Sequence, residues 1–553
     1  MKPARKPVGH LTLGLLTCCL LAGPALAGEP FSKLAELAEK SWRQVDGLPH
    51  DTVYRTHETR DGYLWIGTRD GLARFDGLSF ETFGRAELGL ERTTRIQALA
   101  EDASGDLWIG SDGGELLRYR DGAFRHFDTA AGLAVGRITD LLAVPGGELW
   151  IATYADGIHR LKNGVASQLI PQRFPVISRM VGDGAGGLYI ATMAGLYHWH
   201  EGRLDTYTRQ NGLPSERVWS VTPARGGGAW VATQAGLCRL DAGLVVRTYT
   251  QADGLRKNHV TAVLESSLGV LFIGTYGGGV HLLPPGGAIE ALAAGEAGAD
   301  DLVWSLAEDR SGSLWSANAD SGLRLFAAPA TVTAGASPPP RAQITRIELD
   351  GKTLAPAAPG VFASGPHRFT FRFAAPLPSA GNKVQMRYRL AGIDRAYGSA
   401  GPQREVTYAG LAPGNYRFLA QASSPAGVWL DPPAEYAFTL EAGFFESWRW
   451  PLLLLALISL LAFLYHRWQV RELAAREIEL ARRVEKAVAD IRTLQKLLPI
   501  CGECHQVRDD RGYWQQVETY LGSRPGLALT HGLCPDCAGR LIEEIESGEA
   551  ELG

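Results

Sequence analysis

The chain has almost no surplus of charge of either sign. Its 553 residues include 55 Lys and Arg and 59 Asp and Glu, which gives a formal net charge of −4. A basic surface for nucleic acid requires a clear excess of Lys and Arg, so we expect no nucleic-acid partner. The sequence also contains no Walker-type loop, no cyclase signature and no recognisable helix-turn-helix. Function must therefore be sought in the domain organisation and in local motifs.

Cysteine is scarce, and the positions of the seven residues are informative. Cys18 and Cys19 lie in an N-terminal apolar stretch, Cys238 stands alone in the middle of the chain, and the other four lie close together near the C-terminus. A lone cysteine cannot form an intrachain disulfide, so we expect Cys238 to be a small buried residue of a strand.

Glycine, in contrast, is abundant, with 66 residues. Many glycines indicate many tight turns and therefore a body made mainly of β-strands. The length also exceeds what a single hydrophobic core supports, so we expect two to four domains.

The first 27 residues have the three parts of an export signal. A positively charged start precedes an apolar stretch, Leu11–Leu21, and the small residues Ala25 and Ala27 mark a cleavage site. We predict a signal peptide over 1–27. A permanent membrane anchor and a lipoprotein anchor at Cys18 or Cys19 are the alternatives, and in each case the following residues start outside the cytoplasm.

A second apolar stretch, Trp450–Tyr465, is uncharged and rich in leucine. We predict a transmembrane helix over 448–466, with flanking aromatic residues at the membrane interface. Six basic residues follow it, whereas only Arg449 lies among the twenty residues before it. This asymmetry puts the C-terminal side in the cytoplasm and predicts a single-pass protein of the bacterial inner membrane. A buried helix of a soluble domain is the alternative.

A motif of the type Leu-Trp-Ile-Gly-Thr recurs seven times between the two apolar stretches. Its central aromatic residues are spaced 39 to 43 residues apart. Such a period, with four short strands per repeat, is typical of propeller blades, so we predict a seven-bladed β-propeller over 28–327. The motif occurs at Leu64–Thr68, Leu107–Ser111, Leu149–Thr153, Leu188–Thr192, Ala229–Thr233, Leu271–Thr275 and Leu314–Asn318.

The seventh repeat contains only three strands before an Ala/Pro-rich segment begins. Near the N-terminus, Ser41–Gln44 precedes Asp46–Pro49 in the same way as Tyr207–Gln210 precedes Asn211–Pro214 at the end of the fourth repeat. We therefore predict that the N-terminus supplies the fourth strand of blade 7. This strand would close the ring and remove its exposed edges.

A linker over 328–343 leads to a second region with the alternating pattern of strands, over 344–442. Ile344–Leu349, Phe369–Phe373 and Met386–Leu390 all show this alternation. About a hundred residues of such strands predict a small Ig-like β-sandwich.

The repeats and the sandwich resemble known families. The repeats are similar to those of the two-component regulator propeller family, over roughly 40–327. The segments around Tyr388, Tyr408 and Tyr416 resemble the triple-tyrosine domain that follows such propellers in sensor proteins. The resemblance implies a sensor of signal transduction. We expect these tyrosines, and the aromatic residues of the repeat motif, to pack in cores rather than to bind a ligand.

Candidate ligand-binding residues lie where each innermost strand begins, near the mouth of the central channel. They differ from blade to blade, as a site specific for one asymmetric ligand requires. We predict that they contact a periplasmic ligand, for which a carbohydrate is one candidate, and packing in the core is the alternative role of each. The candidates are Tyr54, Gln97, Thr139, Trp219, Thr261 and Trp304, with Ile177 at the equivalent position of the fourth repeat.

Beyond the membrane segment, apolar residues recur at heptad spacing over 467–498. β-Branched residues at position a with leucine at position d favour a parallel two-stranded coiled coil, which predicts a homodimer. An amphipathic helix that packs on its own C-terminal domain is the alternative. Position a holds Val470, Glu477, Val484, Ile491 and Leu498, and position d holds Leu473, Leu480, Ala487 and Leu494.

Two Cys-x-x-Cys pairs lie in the C-terminal module, 499–553. Two such pairs can complete a tetrahedral zinc site, and in a reducing compartment the pattern favours a metal over disulfides. We predict structural zinc, with a redox pair or another metal as the alternatives. The predicted ligands are Cys501, Cys504, Cys534 and Cys537, and His531 or His505 could replace one of them.

The first of these pairs, within Cys501–His505, also matches the haem-attachment signature. Haem is disfavoured because that attachment takes place outside the cytoplasm. The chain also has no methionine after Met386 that could serve as a distal ligand. The stretch from Leu497 to Cys537 resembles a short module at the C-termini of bacterial sensor and regulator proteins, but the resemblance gives no activity for it.

The segment after the membrane helix is too short for the helix pair and ATP-binding domain of a histidine kinase. We therefore predict a receptor, not an enzyme, that signals from its propeller through the coiled coil and the zinc module to a separate cytoplasmic partner, a kinase or a regulator. The alternative is a membrane-tethered periplasmic propeller enzyme of the lyase or hydrolase type. An enzyme needs convergent acid–base groups, and the repeats reveal no such cluster.

Overall fold

The structure is a computed structural model. It describes residues 39–127, 136–170, 174–292, 301–327, 339–354, 360–363, 365–401, 404–442, 449–494, 497–509, 511–517, 519 and 528–547. The chain forms two compact units, one that ends at Ala442 and one that begins at Gly443. The predicted signal peptide (1–27) and most of the predicted linker (328–338) lie outside the described residues.

Seven four-stranded antiparallel sheets form a ring in the first unit, so the predicted seven-bladed propeller is confirmed. The first strands of neighbouring blades contact one another around the channel. Blade 1 consists of Val53–Glu58, Leu64–Thr68, Gly71–Phe75 and Phe80–Phe83, and blade 2 consists of Ile96–Glu101, Leu107–Ser111, Leu116–Arg120 and Ala123–Phe127. Blade 3 consists of Ile138–Val144, Glu148–Thr153, Ile158–Lys162 and Val165–Ile170, and blade 4 consists of Ile177–Gly182, Leu188–Thr192, Gly195–His200 and Arg203–Tyr207. Blade 5 consists of Val218–Pro223, Ala229–Thr233, Gly236–Asp241 and Leu244–Tyr249, and blade 6 consists of Val260–Glu265, Leu271–Thr275, Val280–Leu283 and Glu290–Ala291. Blade 7 consists of Val303–Glu308, Leu314–Asn318, Leu323–Phe326 and Glu39–Trp42.

The second strand of each blade carries the recurring motif. In blade 1 all five residues of Leu64–Thr68 are buried. A strand that is buried on both faces has a continuous apolar run, whereas a half-exposed strand would alternate apolar and polar residues. The small residue at the fourth position lies where two blades approach closely. A Cβ on Gly67 would lie 2.8 Å from the backbone oxygen of Ile96 in the next blade. The motif accordingly has only glycine or alanine there in all seven repeats.

Aromatic residues of the motif pack between blades, as predicted. Trp65 is buried, and its ring centroid lies 4.9 Å from that of Tyr119 in blade 2. Cys238 is also buried, in the third strand of blade 5, and burial raises the pKa of its thiol to about 12. Both observations fit roles in the core.

The N-terminal strand Glu39–Trp42 pairs antiparallel with Leu323–Phe326, so the predicted closure of the ring is confirmed. The ring centroid of Trp42 lies 5.5 Å from that of Trp315 in blade 7 and 5.2 Å from that of Phe75 in blade 1. The N-terminal strand therefore joins the last blade to the first by pairing and by packing.

Two sheets form the sandwich that follows the propeller, and its first strand begins at Gln343. Phenylalanines from both sheets meet in the core; the rings of Phe371 and Phe418, for example, stack with centroids 4.1 Å apart. One sheet contains Lys352–Leu354, Gln343–Leu349, Arg368–Ala374 and Glu405–Ala409, and the other contains Gly360–Ala363, Ala434–Glu441, Gly414–Ala422, Met386–Ala391 and Gly398–Ser399.

The sandwich docks on the propeller through a buried ion pair. Arg404 Nη1 lies 3.1 Å from Asp76 Oδ2, and both side chains are buried. Asp76 also accepts, through its backbone oxygen, a hydrogen bond of 3.1 Å from the Leu377 N–H. The next residue, Gly77, has a φ of 95°, and a Cβ there would lie 2.8 Å from the Gly381 Cα. The turn after the third strand of blade 1 is therefore one point of attachment.

The second unit begins with one long helix, Arg449–Leu494. A small sheet of Trp514–Gln515, Val507–Arg508, Leu497–Cys501 and Ala528–Gly532 follows, and then the C-terminal helix Pro535–Ser547.

The predicted coiled coil over 467–498 is too long at its C-terminal end. Leu498 pairs with Leu529 in the parallel sheet and does not occupy a heptad position. The reason is Pro499, because a proline moves the residue before it out of the helical region.

Candidate functional site

The first strand of every blade has a β-bulge close to its start. In blade 1 the pairing skips from Val53 to Arg55 and leaves Tyr54 outside the ladder, and the other six blades repeat this skip. A bulge redirects the extra side chain, and here the extra residues surround the mouth of the channel. They are Tyr54, Gln97, Thr139, Ser178, Trp219, Thr261 and Trp304.

Six of these residues are the predicted ligand-binding residues, but the equivalence stated for the fourth repeat is wrong by one position. The structure places Ser178 at the bulge, whereas Ile177 is the paired and fully buried residue before it. In every blade the bulged residue precedes the central aromatic residue by eleven positions, as Ser178 precedes Tyr189. Counting back from that aromatic residue would have identified Ser178 from the sequence.

All seven bulged residues line one cavity of about 370 Å³ at the mouth of the channel. This volume lies within the range of about 300–1,000 Å³ that is usual for small-molecule sites. The structure thus brings together residues from all seven blades. That they bind a ligand stays a prediction.

One side of the cavity is an aromatic wall formed by Tyr54, Trp304 and Trp219. The ring centroids of Tyr54 and Trp304 are 5.6 Å apart, and those of Trp304 and Trp219 are 6.5 Å apart. Behind it, His259 lies 5.3 Å from Trp219. Burial raises the pKa of the Tyr54 hydroxyl and lowers the pKa of His259, so both are neutral at pH 7. The aromatic wall can therefore pack against a flat ring of a ligand.

Four polar atoms of the lining are buried without a hydrogen-bond partner among the described residues. They are the hydroxyl oxygens of Thr139 and Ser178 and the indole Nε1 atoms of Trp219 and Trp304. A buried polar group without a partner costs about 1–3 kcal/mol, so four in one cavity require an explanation. Ordered water or the polar groups of a bound molecule would provide such partners.

Thr261 differs from its equivalents in the other blades. Its side chain is buried, and its hydroxyl donates a hydrogen bond of 2.6 Å to the backbone oxygen of Val303. Because this hydroxyl already has a partner in the core, packing is the better supported role for Thr261.

Sequence reasoning missed the charged residues of the cavity. Arg55 and Arg179 line it, and both lie close to Asp140: Arg55 Nη2 donates to Asp140 Oδ1 at 2.6 Å, and Arg179 Nε lies 3.7 Å from Asp140 Oδ2. Burial raises the pKa of Asp140, and Arg55 opposes this rise. The available signal was an arginine within the innermost strand of blades 1 and 4, beside a bulged residue.

A second candidate site lies in the C-terminal module. The four cysteine sulfurs lie within 4.8 Å of one another, and three of the four residues are buried. The parallel pair Leu497–Cys501 and Ala528–Gly532 brings the two Cys-x-x-Cys turns to the same end of the sheet. The predicted grouping of the four cysteines is thereby confirmed.

The sulfur cluster fits a tetrahedral metal. Zn–S bonds of about 2.3 Å place thiolate sulfurs about 3.8 Å apart, and Cys504 Sγ lies 3.4 Å from Cys534 Sγ. Arg540 Nη2 donates to Cys537 Sγ at 3.4 Å, which favours a thiolate there. His505 is exposed and lies outside the cluster, and the side chain of His531 lies outside the described residues. The four cysteines could therefore hold a metal without a histidine.

The long helix contains a segment able to cross a membrane. Its stretch Arg449–Ile491 includes a window with a mean hydropathy of 1.6. This finding is consistent with a single-pass membrane protein and does not by itself give the orientation.

Comparisons with known proteins bear on both domains of the first unit. The model of the two component regulator propeller matches residues 47–70 and 91–113, and that of the Y_Y_Y domain matches 379–441. A histidine kinase P4 of Formosa agariphila is 43% identical over 44 residues, which are 8% of this chain and 3% of that protein. The predicted resemblance is confirmed, and these matches support a signal-transduction sensor.

Solved structures with similar propellers show low identity. The extracellular domain assigned to the hybrid two component system BT3049 of B. thetaiotaomicron is 18% identical, with a TM-score of 0.45 over 73% of this chain and 58% of that one. A catalytically inactive virginiamycin B lyase of Staphylococcus aureus, solved with quinupristin, is 12% identical, with a TM-score of 0.43 over 52% and 98%. The chain spans less than three fifths of the extracellular domain it matches.

Proposed function

We propose that this chain, which carries two component regulator propeller repeats and a Y_Y_Y domain, is a single-pass inner-membrane receptor. The propeller lies in the periplasm and binds its ligand in the channel cavity. The sandwich and the long helix carry the signal, and the C-terminal module with its zinc ion contacts a cytoplasmic kinase or regulator. A carbohydrate fits the combination of aromatic wall and polar atoms.

The observation that carries this proposal is the asymmetry of the channel cavity. Seven blades of one repeat provide seven equivalent bulges, yet their side chains range from serine to tryptophan. Four of them present buried polar atoms without partners in the described part of the chain. A ring that served only as a spacer would gain stability by filling these positions with apolar residues.

The coupling to the membrane follows from the attachment of the sandwich. Asp76 and Arg404 are buried, and removal of one partner would leave an uncompensated charge, so this contact resists sliding. A change in the ring that displaces the turn at Asp76 would therefore displace the sandwich with it.

Replacing Trp304 with alanine should weaken ligand binding by up to about tenfold, because one aromatic contact is worth about 0.5–1.5 kcal/mol. The measurement is isothermal titration with the best ligand from a set of oligosaccharides screened by thermal shift on the full chain. Trp199→Ala, in the third strand of blade 4, is the matched control and should bind normally.

The same titration separates the receptor from an enzyme. Mass spectrometry of the ligand after prolonged incubation should show it unchanged. Cleavage or elimination products, absent with a heat-inactivated chain, would favour the periplasmic lyase or hydrolase and contradict the receptor.

A parallel homodimer places the same heptad positions of two copies in contact. Val484 and Ile491 are exposed on the long helix, as are Arg482 and Ala489, so the heptad spacing is what selects the seam. Photo-crosslinking residues at 484 and 491 should therefore link two full chains in membranes, whereas residues at 482 and 489 should not. Equal yields at all four positions, or none, would contradict the coiled coil.

A further inference from the structure

Five side chains of the channel cavity carry polar groups that can only donate hydrogen bonds. Arg55, Arg137 and Arg179 line it, and its described lining contains no carboxylate. A guanidinium group and an indole N–H can only donate, so Trp219 and Trp304 add two further donors without acceptor capacity. An occupant must therefore present acceptor atoms to these five side chains.

The charge around the cavity is also unbalanced. Asp140 is the one carboxylate shared by Arg55 and Arg179, at 2.6 Å and 3.7 Å. The distance from Arg179 to Asp140 is too long for a hydrogen bond, so Asp140, which already binds Arg55, stabilises the charge of Arg179 only weakly.

The same imbalance recurs at the rim. Asp112 Oδ1 lies 2.6 Å from Arg137 Nε, and Asp112 Oδ2 lies 3.2 Å from Arg95 Nη1. One carboxylate is again shared by two arginines. Around Asp140 and Asp112, four guanidinium groups thus share two carboxylates.

Of the three arginines in the described lining, Arg179 is the one that no carboxylate approaches within hydrogen-bond distance, because Asp112 lies 2.6 Å from Arg137 and Asp140 lies 2.6 Å from Arg55. The Arg179 side chain is 31% exposed, whereas Arg55 is 8% exposed and held by Asp140. The hydroxyl of Ser178, the residue before it, is one of the buried atoms without a partner. An anionic group in the cavity would accept hydrogen bonds from the Arg179 guanidinium.

We propose that the channel cavity binds an anionic ligand, whose carboxylate or sulfate group is held by Arg179 while its ring packs on the aromatic wall. This inference rests on the proposed function and names the chemistry of its ligand. Carboxylate and sulfate share the required property, a negative charge spread over several acceptor oxygens.

The experiment uses the full chain in lipid nanodiscs, three anionic probes and two neutral counterparts. Inorganic sulfate reports the anion site alone, and two matched pairs distinguish the sources of charge: trigalacturonate with its methyl ester, and galactose 6-sulfate with galactose. Binding is followed by tryptophan fluorescence, with sodium chloride of equal ionic strength as the reference. Sulfate and at least one anionic sugar should saturate, each neutral counterpart should bind at least about tenfold more weakly, and affinity should fall with added salt.

Variants locate the anion. Arg179→Gln should weaken the anionic probes about 10- to 100-fold, because it removes a hydrogen bond to a charged group. Arg179→Lys should keep part of the affinity. Arg203→Gln, which removes an exposed charge from the outer strand of the same blade, should change nothing.

Binding of the anionic probes that is indifferent to Arg179 would overturn the proposal. A neutral sugar that binds as tightly as its anionic counterpart, and that depends on Trp304, would also overturn it and leave the receptor function intact. Absence of saturable binding of every probe would overturn the anionic site, while a ligand found in the wider oligosaccharide screen would still support the receptor.

Discussion

Replacing Cys534 with serine should remove the metal from the C-terminal module and unfold it. The described part of this module has a very small apolar core, in which Ile500 and Val507 are the buried aliphatic residues. Metal binding to four thiolates contributes about 10–16 kcal/mol of apparent free energy, far more than two such side chains provide. The fold of the module should therefore depend on the metal.

Two measurements on the full chain test this dependence. Elemental mass spectrometry should find close to one zinc per wild-type chain and almost none in the variant. Limited proteolysis should cut the variant rapidly after the long helix, while the propeller stays intact. Cys238→Ser, the same chemical change at a buried site in blade 5, is the control and should retain the metal. A module that resists protease equally well in the presence of a chelator would contradict the zinc site.

The regular parts of the fold could be predicted from the sequence because the same pattern of strands and turns recurs in all seven repeats. The motif around Trp65 fixes the buried second strand, and the turn residues fix the ends of the strands. Even the missing strand of blade 7 could be located, because Ser41–Gln44 repeats a local pattern found elsewhere. The repeats indicated which strands pair within each blade. The unpaired edge of blade 7 indicated that one further strand had to close the ring.

The irregular parts could not be predicted in the same way. A β-bulge is a change of register between two strands, and the turn before the innermost strand led to Ile177, whereas the constant spacing of eleven residues to the central aromatic residue gives Ser178. Arg55 and Asp140 lie 85 positions apart and meet only because the ring brings blades 1 and 3 together. Asp76 and Arg404, separated by 328 positions, meet between two domains. Contacts of this range depend on how whole blades and domains are placed, which no local pattern encodes.

Removing residues 28–46 should abolish the cooperative melting of the first unit. The deletion takes away Glu39–Trp42 and leaves the strand Leu323–Phe326 of blade 7 with an unpaired edge. It also removes the Trp42 ring from its contacts with Phe75 and Trp315, which join blade 7 to blade 1. An open edge of this kind pairs with other chains, so we expect aggregation on purification and loss of the sharp transition in calorimetry.

Two single substitutions on the same strand separate the effect of losing the Trp42 side chain from the effect of losing the whole strand. Trp42→Ala removes the contact between the two blades and should destabilise the first unit by about 3 kcal/mol, at the lower end for a buried tryptophan because Trp42 is only half-buried. Lys40→Ala truncates an exposed side chain and should leave the transition within about 0.5 kcal/mol of the wild type. If both variants and the deletion melt like the wild type, the ring does not depend on its N-terminal strand. If only the deletion fails, backbone pairing rather than the tryptophan closes the ring.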